Sequence, residues 1–275
     1  MEFVNTFSQT DTPPAFFDPL AATFWGAGFD RDYHGPGYRY RLVDDPNAAM
    51  RPVAGVSWRM AALYCNWLHN GKQSDPSSLA TGAYDTTTWG PAPGGGFTDA
   101  WTHLPGAQFW IPTLDEAMKS QHYDPNRDGP GQGGWWFNKN GSDDPGIPGP
   151  PGMGTTSAGY DDGTAFGVWS IPLGAYPDSQ SPWGLLDTSG GTQEWTEDVA
   201  FNGIRPTERR HFGSFAGPDS SPFWDYTYGF GSADAANQHP HVGFRIMSVV
   251  PSPHPAAAVL VVSLFICASR RRVRS

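Results

Sequence analysis

Two segments of this chain carry both ends of a helix in their sequence, and most of the rest is broken up by glycine and proline. Ser57 is a good N-cap, and Ala61, Tyr64, Cys65 and Leu68 follow at i, i+3, i+4 and i+7 until Asn70-Gly71 stops the run. This predicts an amphipathic helix with Cys65 on its buried stripe as an inert packing residue. Thr113 and Glu116 form a T-x-x-E capping box for a second helix reaching about His122, and Asp124-Pro125 ends it. Residues 126–157 are dominated by Gly, Pro, Asn and Asp around Trp135, Trp136 and Phe137, and read as long ordered loops pinned by aromatics. Short alternating runs, Phe166 to Leu173 and Val242 to Met247, read as strands. No internal repeat is visible.

The residue budget agrees with a loop-rich body. Glycine (34) and proline (27) are frequent and only 16% of residues are charged, while 12 Trp and 17 Phe supply apolar surface, so the chain reads as folded. Net charge is −10 even with Arg270, Arg271, Arg272 and Arg274 at the extreme C-terminus. Such a body repels phosphate backbones, which argues against nucleic acid as a partner. Cys65 and Cys267 are the only cysteines, leaving no disulfide framework and no cysteine metal site. No G-x-S-x-G, P-loop or dinucleotide fingerprint occurs, and His239-Pro240-His241 reads as a polar loop before a strand.

The stretch SPWGLLDTSGGTQEWTED, Ser181 to Asp198, followed some fifty residues later by HVGFRIMS, resembles the signature of the formylglycine-generating enzyme or sulfatase-modifying-factor family. Gly184, Leu185, Asp187, Gly190, Glu194, Trp195, Thr196 and Asp198 match it, as do Gly243, Phe244 and Arg245. Two upstream blocks, Arg51 to Gly71 and Phe109 to Pro125, resemble the family's helix segments in the same order. Departures are Met60, Leu114, Ala117 and Gly191, where the family usually has an acid, Glu, Trp and Asn. The resemblance implies one α+β domain over residues 1–249, C-type-lectin-like, with short strands and two main helices. It also implies that Asp187, Glu194, Trp195 and Arg245 lie close together as a structural motif. Glu2 to Asp11 resembles a helix that a strand normally precedes. Met1 to Asn5 also lacks the basic and apolar parts of a leader, so we expect a first strand and a start upstream of Met1.

The family's oxidases bind copper through a cysteine pair shortly after a GGS motif, because thiolates are the soft ligands copper(I) requires. The matching stretch here, Phe212 to Asp219, contains no cysteine, so copper is not expected as a cofactor. The expected role is a non-catalytic binding or structural module; the alternative is an enzyme with diverged chemistry using Asp219, Asp225, His211 or Arg245. Asp124, Asn126 and Asp128 fit the first half of a D-x-[DN]-x-[DN]-G calcium loop, although Trp135 stands where its bidentate Glu belongs, and an Asx-rich turn is the other reading. The resemblance implies a second calcium near Glu194, weakened by Gly191. Aromatic faces stack on sugar rings, so extracellular glycan is the ligand class expected, with Trp135, Trp136 and Trp224 as candidate faces. Trp58, Trp183 and Trp195 are expected in the core.

From Val250 the composition changes to a proline-rich break, an apolar run over Pro255 to Ala268, and the arginines. As a helix at 1.5 Å per residue that run reaches about 21 Å, short of the roughly 30 Å hydrocarbon core. The arginines would snorkel and stay on the cytoplasmic side, placing the body outside. The order resembles a PEP-CTERM sorting signal, Val250-Pro251-Ser252-Pro253 standing for its VPEP with Ser252 in place of Glu. That implies the sorting machinery as a partner, membrane association through residues 255–268 before processing, and an exported, cell-surface or extracellular destination. An ordinary tail anchor is the alternative.

Overall fold

The computed structural model describes residues 1–18, 26–164, 167–202 and 205–249. In chain order they form α1 (Glu2–Ser8), β1 (Ala27–Phe29), β2 (Tyr40–Leu42), α2 (Trp58–His69), β3 (Phe109–Trp110), α3 (Leu114–His122), β4 (Tyr123–Asp124), β5 (Gly134–Trp135), β6 (Gln193–Asn202), β7 (Arg205–Phe212), β8 (Phe230–Ala233), β9 (Val242–Phe244) and β10 (Met247–Ser248). This is the loop-rich α+β architecture anticipated. Both main helices start where their caps are. Ser57 accepts the Met60 N–H, and Thr113 and Glu116 complete a reciprocal capping box.

One expectation about α2 needs enlarging. A single apolar stripe predicts a half-exposed helix, yet Trp58, Met60, Ala62, Leu63, Asn66 and Trp67 are buried along with Ala61 and Cys65. Asn66 stays inside because the neighbouring loop satisfies it: its Nδ2 donates to the carbonyls of Leu79 and Tyr84, and its Oδ1 accepts the Tyr84 N–H. The Phe166 to Leu173 strand is a correction. Phe166 lies outside the described residues and Gly167–Ser170 is a 3-10 turn. Local bonds win there, since Thr164 Oγ1 accepts the Gly167 N–H and Ser170 Oγ donates to the Gly167 carbonyl.

The principal sheet has the order β8-β7-β6-β9, with β6–β7 and β7–β8 antiparallel and β6–β9 parallel. The parallel pair brings the two halves of the sequence signature into register, Glu194 beside Gly243 and Trp195 beside Phe244. Gly243 is needed because a Cβ there would run into the Val53 carbonyl. Two tryptophans lock α2 to β6 reciprocally: Trp195 Nε1 donates to the Val56 carbonyl (2.9 Å) and Trp58 Nε1 to that of Thr196 (3.0 Å). The buried Arg209 lies 3.7 Å from the centre of the Trp58 ring and donates to the carbonyls of Glu197 and Ala100, tying the 97–104 loop to β7. Among the described residues no helix is long and apolar enough to cross a membrane, and Val250 to Ser275 lie outside them.

Candidate functional site

The structure gathers Asp187, Glu194, Trp195 and Arg245 at the β6–β9 pair. Arg245 Nε donates to Glu194 Oε1 (2.5 Å), and its Nη2 donates to the carbonyls of Asp187 (2.5 Å) and Leu186 (3.1 Å). Arg245 thus divides its donors between one carboxylate oxygen and the turn before β6. Gln121 Nε2 takes the other oxygen, Glu194 Oε2 (3.2 Å). Asp187 has a left-handed backbone (φ 56°), and both its oxygens accept the Gly174 N–H. Burial raises its carboxyl above the usual range, partly offset by that N–H and by Arg245.

Beside this node lies a groove of about 910 Å³, mostly apolar, walled by Val53, Met60, Tyr64, Trp183 and Phe244 with Arg245 and Glu194 at one side. Its volume falls in the range of small-molecule sites. Trp183 corrects the sequence reading: it is 54% exposed, set on the groove rim by a Ser181–Leu185 turn. Cys65 is enclosed in α2, and burial pushes its thiol up. Of the four residues considered for diverged chemistry, only Arg245 lines the groove; His211 and Asp225 are buried and Asp219 is exposed elsewhere.

Of the candidate calcium ligands, Asp124, Asn126 and Glu194 accept from protein donors. Asp124 accepts the Asn126 N–H and the Trp136 indole N–H, Asn126 Oδ1 accepts the Gly131 N–H, and the segment is a short β4–β5 hairpin. Glu194 faces Arg245. A hard cation needs several oxygens converging on one point, and among the described residues no group of three or more His, Cys, Asp or Glu does so.

The three candidate ligand-facing tryptophans separate. Trp136 is half-buried, bonded to Asp124 and covered by the Arg127 guanidinium at 4.5 Å, whereas Trp135 and Trp224 are exposed. Trp224 lies in a turn rich in open rings that the sequence reading did not single out. Phe137, Phe223, Tyr226 and Tyr228 pack edge-to-face with centroids 4.8 to 6.0 Å apart, and Tyr228 is 62% exposed. Phe137 comes from one loop and the others from the segment after Ser221, joined by a β-bridge between Asn138 and Tyr226. The aromatic density of residues 135–137 and 223–230 was the available signal; which rings face outward was not readable from it.

The segment after Ser214, where the family's thiols would stand, forms a buried polar cluster. Ser214 N–H donates to Asp225 Oδ1 (2.9 Å) and its Oγ contacts Asp225 Oδ2 (2.7 Å). Lys139 Nζ lies 3.7 Å from Asp225 Oδ1. Nothing in the sequence pointed to Lys139.

Residues 30–249 match the family described as sulfatase-modifying factor enzyme 1-like domain. The chain therefore belongs to that family. Solved structures similar to it include the crystal structure of CarF, at 15% identity, 76% of this chain, 72% of that chain and a TM-score of 0.43. Treponema denticola variable protein 1 is another, at 16% identity, 74% and 73% coverage and a TM-score of 0.42. No curated protein matches the chain.

Proposed function

We propose that this sulfatase-modifying-factor family member is an exported, non-catalytic binding or structural module that engages extracellular glycan or matrix. The observation that carries the reading is the outward ring surface of Phe137, Phe223, Trp224 and Tyr228, borne on loops whose rings pack on Tyr226. Flat aromatic faces with a phenol hydroxyl at the edge suit the apolar face and hydroxyls of a sugar. The export part of the reading rests on the Val250 to Ser275 composition, with the sorting machinery as partner. The test is binding of the purified full chain to a panel of soluble polysaccharides, with W224A and Y228A as probes. Each variant is expected to weaken binding about tenfold, the equivalent of about 1.4 kcal/mol. Absence of binding to every polysaccharide removes the ligand class, and undiminished binding by both variants removes the surface.

A second reading, an enzyme with diverged chemistry, draws on the groove beside Arg245. Small-molecule hits in a thermal-shift screen that are lost in Met60→Trp, which fills the groove, would favour it over the ring surface.

A further inference from the structure

Directly beneath the ring surface, Lys139 and Asp225 meet in the interior, each nearly inaccessible to solvent. Lys139 Nζ lies 4.0 Å from the centre of the Phe212 ring. Gly213 makes room for it, since a Cβ at that position would collide with Nζ. A charged ammonium has three protons to place, and this one meets a ring face and one carboxylate oxygen at long range. Desolvation pulls the amine down and pushes the Asp225 carboxyl up, so burial drives both toward their neutral forms, opposed by each other's charge and, at Asp225, by the hydrogen bonds from Ser189 and Ser214.

The surrounding hydroxyls accommodate a neutral acid. Ser214 Oγ accepts the Gly190 N–H and can donate to Asp225 Oδ2. Ser189 Oγ sits 2.6 Å from the same oxygen and 2.8 Å from Thr156 Oγ1. Ser189 has one proton, and one arrangement that serves both contacts has it donate to Thr156 and accept from a protonated Asp225. In that arrangement a free amine faces a carboxylic acid in a site closed to water.

We propose that Lys139 and Asp225 condense into an intramolecular amide, an isopeptide bond that joins the loop bearing Phe137 to the turn bearing Phe223 and Trp224. For the step, Nζ, now 3.7 Å from Oδ1, has to come within the roughly 3–3.5 Å of Cγ that a near-attack geometry requires. The amine lone pair attacks Cγ, and the Ser214 N–H holds the charge that develops on Oδ1. The Nζ–Cγ bond forms and the Cγ–Oδ2 bond breaks. Oδ2 leaves as water, carrying its own proton and one from the amine, so no oxidant or cofactor enters. The bond would make the ring surface rigid in a chain whose one described cysteine is a free, enclosed thiol. It stands independently of whether the rings bind glycan.

Intact-mass spectrometry of the denatured full chain tests this directly, because denaturation separates an ion pair and leaves an amide intact. The expected mass is that of the sequence less one water. Trypsin should fail to cut after Lys139 and should release residues 128–209 joined to residues 211–245. K139M should show the full sequence mass whether or not it folds. An unmodified mass for the native sequence overturns the proposal, as does a water loss that persists in K139M or maps to other residues.

Discussion

Arg245 holds three pieces of the motif at once, and its single positive charge is the counter-charge given to Glu194, whose side chain is 10% exposed against 31% for the arginine. Removing one partner of a largely enclosed pair leaves the other charged and poorly solvated, at a cost of about 3 kcal/mol. We expect Arg245→Met to lower the melting temperature by about 6–12 °C, from the few degrees per kilocalorie typical of a body this large. Glu194→Gln, which keeps a polar acceptor, should cost less. Equal effects of the two would mean that the bonds to the Leu186 and Asp187 carbonyls, which Glu194→Gln keeps, contribute little. Histidines set the acid limit. Burial pushes His122 down to about 3, and burial with neighbouring His239 pushes His211 down to about 4. Both stay neutral in the folded protein, whereas in the unfolded chain they titrate near 6.5. Below that value the unfolded state binds more protons, so stability is full above about pH 6.5 and declines as pH falls toward 4. Melting curves between about pH 7.5 and pH 5 should show this decline, and His211→Gln should flatten it; an unchanged slope in that variant would assign the acid sensitivity elsewhere.

At the scale of elements, the two capped helices were legible because a cap is made by residues three apart, and the chemistry at Ser57 and at Thr113 with Glu116 is complete within one turn. The strand pattern at Val242 to Met247 was also legible, although β9 and β10 are separated at Arg245, whose side chain turns to Glu194. The Phe166 to Leu173 pattern misled, because side-chain bonds from Thr164 and Ser170 supplied a local alternative to pairing. Strand β9 also carries a test of the main sheet. In Gly243→Ala the new methyl meets the Val53 backbone carbonyl and Thr192, neither of which is a flexible chain end. Overpacking of this kind costs about 1–3 kcal/mol, and we expect a lower midpoint in urea with an unchanged slope. A variant as stable as the parent would show that the Val53 segment shifts freely, and would place the groove wall among the movable parts of the fold.

For the whole molecule, the tail and body are expected to separate. Pro251 and Pro253 break the chain after Val249, and the apolar run that follows has no polar face with which to cap a soluble core. Deleting Val250 to Ser275 should leave the melting temperature within a few degrees of the full chain, and in an export-competent form should move the protein from the membrane fraction to the soluble one. A drop of more than about 8 °C, equivalent to more than about 2 kcal/mol in a body this large, would make the tail part of the core. Sequence alone determined the family, the two helix starts, the acidic charge and the lack of a thiol pair after Ser214, because each is written in residue identity or in spacings of a few positions. Tertiary structure alone decided that α2 is buried nearly all round, that Trp183 faces outward while Trp136 is covered, that Glu194 is spent on Arg245, and that Lys139 reaches Asp225. Those outcomes depend on contacts between residues from about ten to more than a hundred positions apart, as in the Trp136 to Asp124 bond across 12 residues and the Trp58 to Thr196 bond across 138. Burial and charge pairing are properties of what the rest of the chain brings alongside, and no local pattern contains that information.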